Sequence, residues 1–192
     1  MPGVKLPRPV WYRFKDGKII SKQGDVETVY DGIQGRIVAV RVMDETYEGE
    51  TYKKIQINME GSGELSVLQM KLDSGYGRSF CYLALSIDYS KEVIISGSSK
   101  QIDGKTRTRM FIKQGEKFLK QFFTKADPKD LPPVTAIESK GKIVGWDFEE
   151  QQKFFIAMFE EINKALNVSA VPLPEAPKLE RGEHGISDDL PF

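Results

Sequence analysis

Apolar and polar residues alternate along several segments of the chain, and these segments are rich in β-branched and aromatic residues. Alternation with a period of two is typical of strands that bury one face and expose the other. The pattern predicts strands over residues 10–15, 18–20, 29–43, 47–59, 64–72, 92–98 and 105–113. The sequence therefore indicates a mainly β protein.

Turn residues and one apolar run separate the predicted strands. Residues 16–17 and 103–104 both read Asp-Gly, which favours two-residue hairpin turns, and residues 60–63 read Glu-Gly-Ser-Gly. The apolar run over residues 79–87 predicts a short helix. This helix falls between the third and the fourth of the long predicted strands.

Two features of this order indicate a small barrel. Gly32 and Gly35 interrupt the longest predicted strand, where a bulge or a sharp bend would let the sheet curve. A short helix after the third of five strands is the plan of the oligonucleotide/oligosaccharide-binding (OB) fold, a partly open barrel. We therefore predict an OB-fold-like five-stranded barrel within a domain of residues 1–169. A β-sandwich has a similar string of strands and stays an alternative.

Residues 148–166 have a clear helical pattern. Asp147 is placed as an N-cap with Glu150 three positions later, a capping box with Asp in the first place. Apolar residues then recur at helical spacing and predict an amphipathic helix with one buried face. These residues are Phe155, Met158, Phe159, Ile162 and Leu166. We expect this face to pack on the barrel, and if it does not, it would form the contact of a homodimer.

The composition limits the chemistry that the chain can perform. Its 192 residues include one cysteine and one histidine. Cys81 lies in an apolar run, where we expect a buried and inert thiol, and His184 lies in a proline-rich segment. A cysteine–histidine catalytic pair and a zinc cluster are not expected. The sequence therefore predicts no catalytic residue, no cofactor and no metal.

One group of charged residues keeps an enzymatic alternative open. Asp130, Glu138 and Lys140 loosely resemble the acid, acid-x-lysine spacing of a nuclease superfamily, whose chemistry depends on a metal ion. They lie in a proline-rich stretch that leads into a glycine-bounded turn, which favours a solvated loop. A small metal-dependent nuclease or DNA-processing enzyme is the second hypothesis.

Residues 105–111 carry the strongest binding pattern. Lys105, Arg107, Arg109 and Phe111 share one parity, so that a strand would place three cations and a ring on one face. Their spacing of about 6.6–6.8 Å is close to that of successive phosphates in an extended single strand. Alternating cations are also common on solvated strand faces, and binding is the interpretation that we prefer.

A second binding pattern lies in the strand before the predicted helix. Ile55, Ile57 and Met59 are expected to face the core, which leaves Tyr52, Lys54, Gln56 and Asn58 on the outer face. Cations that follow phosphates, and rings on which bases stack, are what single-strand binding needs. The complete set of predicted single-strand-binding residues is Lys105, Arg107, Arg109, Phe111, Tyr52, Lys54, Arg36, Arg41, Trp11 and Arg13.

The charge distribution indicates a polyanionic partner. Residues 170–192 contain five acidic and two basic residues, a net charge of −3, which leaves +3 for the rest of the formally neutral chain. Prolines and glycines punctuate this segment, and its few apolar residues do not offset the entropy of ordering. We expect a flexible acidic tail on a mildly basic domain.

The tail ends in Asp188-Asp189-Leu190-Pro191-Phe192. This sequence resembles the acidic tip of bacterial and phage single-stranded DNA-binding proteins, in which aspartates precede an aliphatic residue, proline and phenylalanine. Two aspartates, and no long Gly/Gln-rich linker, favour the phage type. The resemblance implies an OB-fold that binds single-stranded DNA, and a tip that recruits replication, recombination and repair proteins.

The leading hypothesis is therefore a non-enzymatic single-stranded DNA-binding protein. A third hypothesis is a protein-interaction adaptor that uses helix 148–166. Stacking and phosphate pairing do not distinguish DNA from RNA, so that preference stays open. No segment approaches the roughly 20 apolar residues of a membrane helix, and no signal-like run follows the first residues. We expect a cytoplasmic protein without membrane contact, located in the host cytoplasm if a phage encodes it.

Overall fold

The computed structural model describes residues 9–61 and 63–166. The strands of this part are β1 (Val10–Lys15), β2 (Lys18–Gln23), β3 (Val26–Tyr30), β4 (Gly32–Tyr47), β5 (Glu50–Gly61), β6 (Glu64–Lys71), β7 (Glu92–Ile102), β8 (Lys105–Gln114), β9 (Lys117–Phe118), β10 (Thr135–Ser139) and β11 (Lys142–Asp147). Its helices are α1 (Gly75–Leu83), with a 3-10 turn (Ala84–Ser86) after it, and α2 (Glu149–Ala165). Neither helix has the length and apolar character that crossing a membrane requires.

Nine strands form one mixed sheet in the order β3-β2-β1-β6-β5-β4-β7-β8-β9, and β10 pairs with β11 alone. All neighbours are antiparallel except β1 and β6, which run parallel. The predicted mainly β character is confirmed. The five-stranded barrel is wrong in strand number and in closure. Strand β1 occupies the outer edge of β6, so the sheet extends into β2 and β3 instead of closing on β8.

Most of the predicted turns and strands are confirmed. Asp16 and Gly17 both have positive φ angles, as do Asp103 and Gly104. Two successive residues of this kind are what a tight hairpin between twisted strands requires. The predicted single strand over residues 29–43 is instead two strands, because β3 ends at Tyr30 and β4 begins at Gly32.

The glycines of β4 allow neighbouring strands to approach closely. A Cβ on Gly35 would lie 2.8 Å from the carbonyl oxygen of Glu60 on β5, which is too close for any real contact. The bulge that we predicted at the glycines lies further along, between Ile37 and Ala39. The bulge lies where the pairing of β4 changes. Strand β7 pairs only with residues 32–36 of β4, whereas β5 pairs with β4 from Arg36 to Tyr47.

The core lies between the inner face of the large sheet and the two helices. Its largest fully buried side chains include Phe80, Phe159, Ile37, Ile55, Ile57, Leu68, Ile95 and Ile112. The rings of Phe80 on α1 and Phe159 on α2 stack with their centroids 5.6 Å apart. Cys81 is fully buried, and this burial raises the pKa of its thiol. An inert thiol was the expectation, and its surroundings support it.

Helix α2 packs on its own domain. Phe155, Met158, Phe159 and Ile162 are all buried, so the apolar face is not available to a partner. The predicted capping box is wrong in detail, because the N-cap is Phe148, which has no side-chain cap. The carboxylate of Asp147 instead accepts a hydrogen bond from the backbone amide of Glu149, at 2.8 Å.

Asn163 of α2 fastens the helix to the sheet. Its side chain accepts a hydrogen bond from the Val40 amide at 2.9 Å and donates one to the Val40 carbonyl at 2.5 Å. Val40 lies beyond the part of β4 that pairs with β7, where the backbone groups of this edge need other partners. The side-chain amide of Asn163 pairs with both the amide and the carbonyl of Val40, so α2 covers the part of the β4 edge that does not pair with β7.

Candidate nucleic-acid interface

The strand register brings distant residues together on the outer face of the sheet, opposite the core. Arg41 on β4 pairs with Gln56 on β5, which pairs with Gln69 on β6, which pairs with Arg13 on β1. Paired residues on neighbouring strands point to the same side of a sheet. Trp11 lies on this face two residues before Arg13. One polar row, with an arginine at each end, therefore crosses four strands.

A second row lies beside the first. Lys54 on β5 pairs with Met43 on β4 and with Lys71 on β6. The next pair along the β4–β5 ribbon is Glu45 with Tyr52. Lys71 was not among the predicted binding residues, although it belongs to this face. Its strand also carries Leu65 and Val67 on the same side, and these apolar residues interrupt the polar pattern of the outer face.

We expected Gln56 and Asn58 to be exposed on the outer face, but both side chains are buried. Their relative exposures are 2 % and 3 %. Gln69 donates a hydrogen bond to the Gln56 side-chain oxygen at 3.2 Å, and Gln56 donates one to Asn58 at 3.1 Å. The prediction was wrong because polar residues were assigned to solvent, whereas these amides satisfy one another under cover. We name the amide patch for these three amides and the residues around them, namely Trp11, Arg13, Arg41, Tyr52, Lys54 and Lys71.

Tyr52 is held from two sides. Its hydroxyl donates a hydrogen bond to Glu45 at 2.7 Å, and Lys54 forms an ion pair with the same carboxylate. The ammonium of Lys71 lies 4.3 Å from the centre of the Tyr52 ring, a cation–π contact. Partial burial, and then the hydrogen bond to Glu45, raise the pKa of Tyr52. A base that stacks on this ring must use its other face or displace Lys71.

Other predicted cations have acidic partners. Arg13 lies 3.9 Å from Glu27, which also pairs with Lys15 at 3.0 Å. Arg36 pairs with Glu60 at 3.1 Å, on the part of β4 before the bulge and outside the amide patch. All of these side chains are at least 30 % exposed, so each pair is weak and a phosphate can exchange with the carboxylate.

The hairpin of β7 and β8 carries a second cationic surface. The register places Lys105, Arg107, Arg109 and Phe111 on its outer face, since the alternate residues Met110 and Ile112 are buried in the core. Lys100, which the sequence did not single out, lies directly opposite Arg107. Its signal was missed because β7 runs to Ile102, four residues beyond the predicted strand. We name these five outer-face residues the hairpin patch.

The hairpin patch is poor in compensating charge. Within the described part of the chain, Lys100, Lys105 and Arg109 form no salt bridge with a carboxylate, whereas Arg13 and Lys54 of the amide patch do. Like charges that face each other across a strand pair are destabilising. A phosphate bound beside Lys100 and Arg107 would offset the repulsion between these two cations.

The residues of the nuclease hypothesis do not form a metal site. Glu138 lies on β10, and Lys140 lies in the tight turn to β11 with a φ of 50°. Asp130 is an exposed residue before this hairpin. Among the described residues no group of three His, Cys, Asp or Glu side chains could hold a metal ion. The predicted solvated loop is confirmed for Asp130 and Lys140, which lie in exposed turns, and it is wrong for Glu138, which lies on β10 of the β10–β11 hairpin.

The residues that resemble a single-stranded DNA-binding protein lie outside the described part of the chain. They are Asp188, Asp189, Leu190, Pro191 and Phe192, and the whole predicted tail from residue 170 lies there with His184. The role of this tip therefore stays a prediction. Comparison of the chain with protein-family models, with curated proteins and with solved structures finds no match.

Proposed function

We propose that this protein binds single-stranded DNA, largely without regard to sequence and without catalysis. The observation that carries the proposal is the convergence of Trp11, Arg13, Arg41, Tyr52 and Lys54 on one face. These residues come from three separate segments of the chain, and only the pairing of β1, β6, β5 and β4 unites them. Cations and rings on one sheet face are the elements of single-strand binding.

The two patches divide the work of binding. In the amide patch the buried amides form a fixed polar floor, and the arginines and lysines at its rim reach the phosphates. Trp11 and Tyr52 offer rings to bases, each stack contributing about 1–3 kcal/mol. The hairpin patch adds phosphate contacts on the same side of the sheet. Such contacts release counterions, so binding weakens as salt is added.

The strand order supports an OB-type arrangement as part of this proposal. If β4, β5, β6, β7 and β8 are counted as the five strands of an OB-fold, α1 lies between the third and the fourth, as in that fold. The OB-fold binds oligonucleotides on the face of its second and third strands and with the loop between the fourth and the fifth. The amide patch includes the outer face of β5 and β6, and the hairpin patch lies on the two strands beside the turn between β7 and β8. The strands β1 to β3 are an addition.

The acidic tip supplies the second half of the proposal. Its resemblance to single-stranded DNA-binding proteins, most closely those of phages, implies that residues 188–192 recruit replication and recombination proteins. A phenylalanine ring close to two aspartates suits an apolar pocket with a basic rim. DNA binding and recruitment are then separable functions of one chain.

The test is a titration with single-stranded DNA, single-stranded RNA and duplex DNA of equal length at several salt concentrations. The chain has two tryptophans, so Trp146→Phe leaves Trp11 as the only reporter, and Trp11→Phe leaves Trp146 on β11. We expect oligo-dT to quench Trp11 strongly and Trp146 weakly, with no cleavage and no need for a divalent cation. Equal binding of duplex, or metal-dependent cleavage, would contradict the proposal and favour the nuclease.

A further inference from the structure

We propose that Phe118, supported by Phe111, is a base-stacking subsite at the edge of the hairpin patch. Phe118 lies on β9, which pairs with β8 so that Phe118 stands opposite Lys113. This register puts Phe118 on the same outer face as Phe111. The inference rests on the proposed single-strand binding and names a contact that the pattern of the sequence did not indicate.

The exposure of the two rings is unusual for this molecule. Phe118 is 63 % exposed and Phe111 40 %, whereas Phe80, Phe155 and Phe159 are at most 4 % exposed. Burying a phenylalanine side chain contributes about 1.5–3 kcal/mol, so an exposed ring forgoes that stabilisation. Two exposed rings beside each other, with cations around them, are typical of a surface that meets a partner.

The backbone fixes the position of Phe118. Strand β9 is only two residues long, and the amide of Leu119, directly after it, donates a hydrogen bond to the Ile112 carbonyl at 2.8 Å. The Phe111 and Phe118 rings meet edge to face, with centroids 6.2 Å apart and planes at 73°. This geometry is favourable for an aromatic pair and leaves Phe118 as the more exposed ring. A base therefore finds a ring that is already oriented.

The surrounding charges identify the occupant as a nucleic-acid strand. Arg109 and Lys113 lie on the same face as Phe118, on either side of Phe111 along β8. Alternate residues of a strand are about 6.8 Å apart, which is near the spacing of phosphates along an extended strand. A base can thus stack on Phe118 while its neighbouring phosphates meet these cations. An apolar peptide carries no anionic groups that would pair with these cations.

The experiment compares Phe118→Leu and Phe118→Tyr with the intact protein. Leucine keeps an apolar side chain and removes the ring, while tyrosine keeps the ring. The probes are oligo-dT and an oligonucleotide of the same length made of abasic residues. We expect Phe118→Leu to weaken oligo-dT binding about fivefold or more, and Phe118→Tyr to leave it near that of the intact protein. Binding of the abasic strand should be the same for all three proteins.

The controls separate this subsite from the function on which it rests. Leu85→Ala changes an exposed apolar residue, 42 % exposed, outside the sheet and should leave both affinities unchanged. The salt dependence should be unaltered in Phe118→Leu, because no phosphate contact is removed. If the intact protein binds oligo-dT and Phe118→Leu binds it equally well, the subsite is wrong and the proposed function stands. If the intact protein does not bind single strands, both are wrong.

Discussion

Tyr52 of the amide patch would have two roles, one in contacting a base and one in holding neighbouring side chains in place. Its ring faces the ammonium of Lys71, and its hydroxyl holds Glu45, which in turn pairs with Lys54. The ring is the part that a base would contact. The hydroxyl belongs to the architecture of the patch, because it keeps Glu45 in place.

Substitutions of Tyr52 should separate these roles. Tyr52→Phe removes the hydrogen bond to Glu45 and should lower the free energy of unfolding by about 0.5–1.5 kcal/mol. It keeps the ring, so its affinity for oligo-dT should stay close to that of the intact protein. Tyr52→Ala should lose a stacking contact of about 1–3 kcal/mol as well. Urea unfolding and a binding titration measure the two quantities. Equal affinity losses for both variants would assign Tyr52 to the architecture alone.

The cations of the hairpin patch should act through charge. We expect the triple substitution of Lys105, Arg107 and Arg109 by alanine to reduce the slope of log affinity against log salt by about 2, since each phosphate contact accounts for roughly 0.7 with single strands. The slope is obtained from titrations at four or more salt concentrations.

The control for this triple substitution changes the same net charge elsewhere. Lys125, Lys140 and Lys142 are exposed, and they lie outside the large sheet. Their substitution by alanine should leave the slope within its error. A hairpin variant with the slope of the intact protein, or a control variant with the reduced slope, would show that these cations do not follow the strand.

At the scale of elements, strand positions could be predicted because alternation is local. Residues 105–113 and the helix over 148–166 are recovered to within two residues at each end. Partnerships between strands could not be predicted, since the pairing of Trp11 with Val67 joins segments more than fifty positions apart. The burial of Gln56 depends on the same long-range pairing. The position of Phe118 on a strand was not predicted, because a strand of two residues is too short to show alternation.

The joint between α2 and the sheet makes a prediction about an element. Asn163→Ala removes both hydrogen bonds to Val40 and leaves a partly buried amide and carbonyl without them. We expect the free energy of unfolding to fall by about 1–3 kcal/mol. Glu160→Ala, an exposed change on the same helix, is the control and should shift it by less than about 0.5 kcal/mol. Equal unfolding midpoints in urea would show that the edge of β4 needs no cover.

At the scale of the whole molecule, charge divides the chain into two parts with opposite sign. Residues 1–169 carry a net charge of +3 and residues 170–192 carry −3. Both patches lie on the outer face of one sheet within the first part, and the tip that resembles a recruitment peptide ends the second. Binding a strand and recruiting a partner should therefore respond to different substitutions.

Deletion of residues 188–192 should separate the two. The segment is rich in proline and acidic residues and has few apolar side chains to contribute to a core, so the melting temperature should stay the same. Two aspartates repel phosphate, so affinity for single-stranded DNA should be equal or slightly higher. The deletion should abolish recruitment of replication proteins. Phe192→Ala alone should reproduce most of that loss, because the ring of Phe192 would fill the pocket of the partner.

Pull-down of replication proteins by the two variants, with Lys178→Ala as a control in the same segment, measures recruitment. If Phe192→Ala retains every partner, or if the deletion weakens DNA binding several-fold, the tip is not the docking peptide that its resemblance implies.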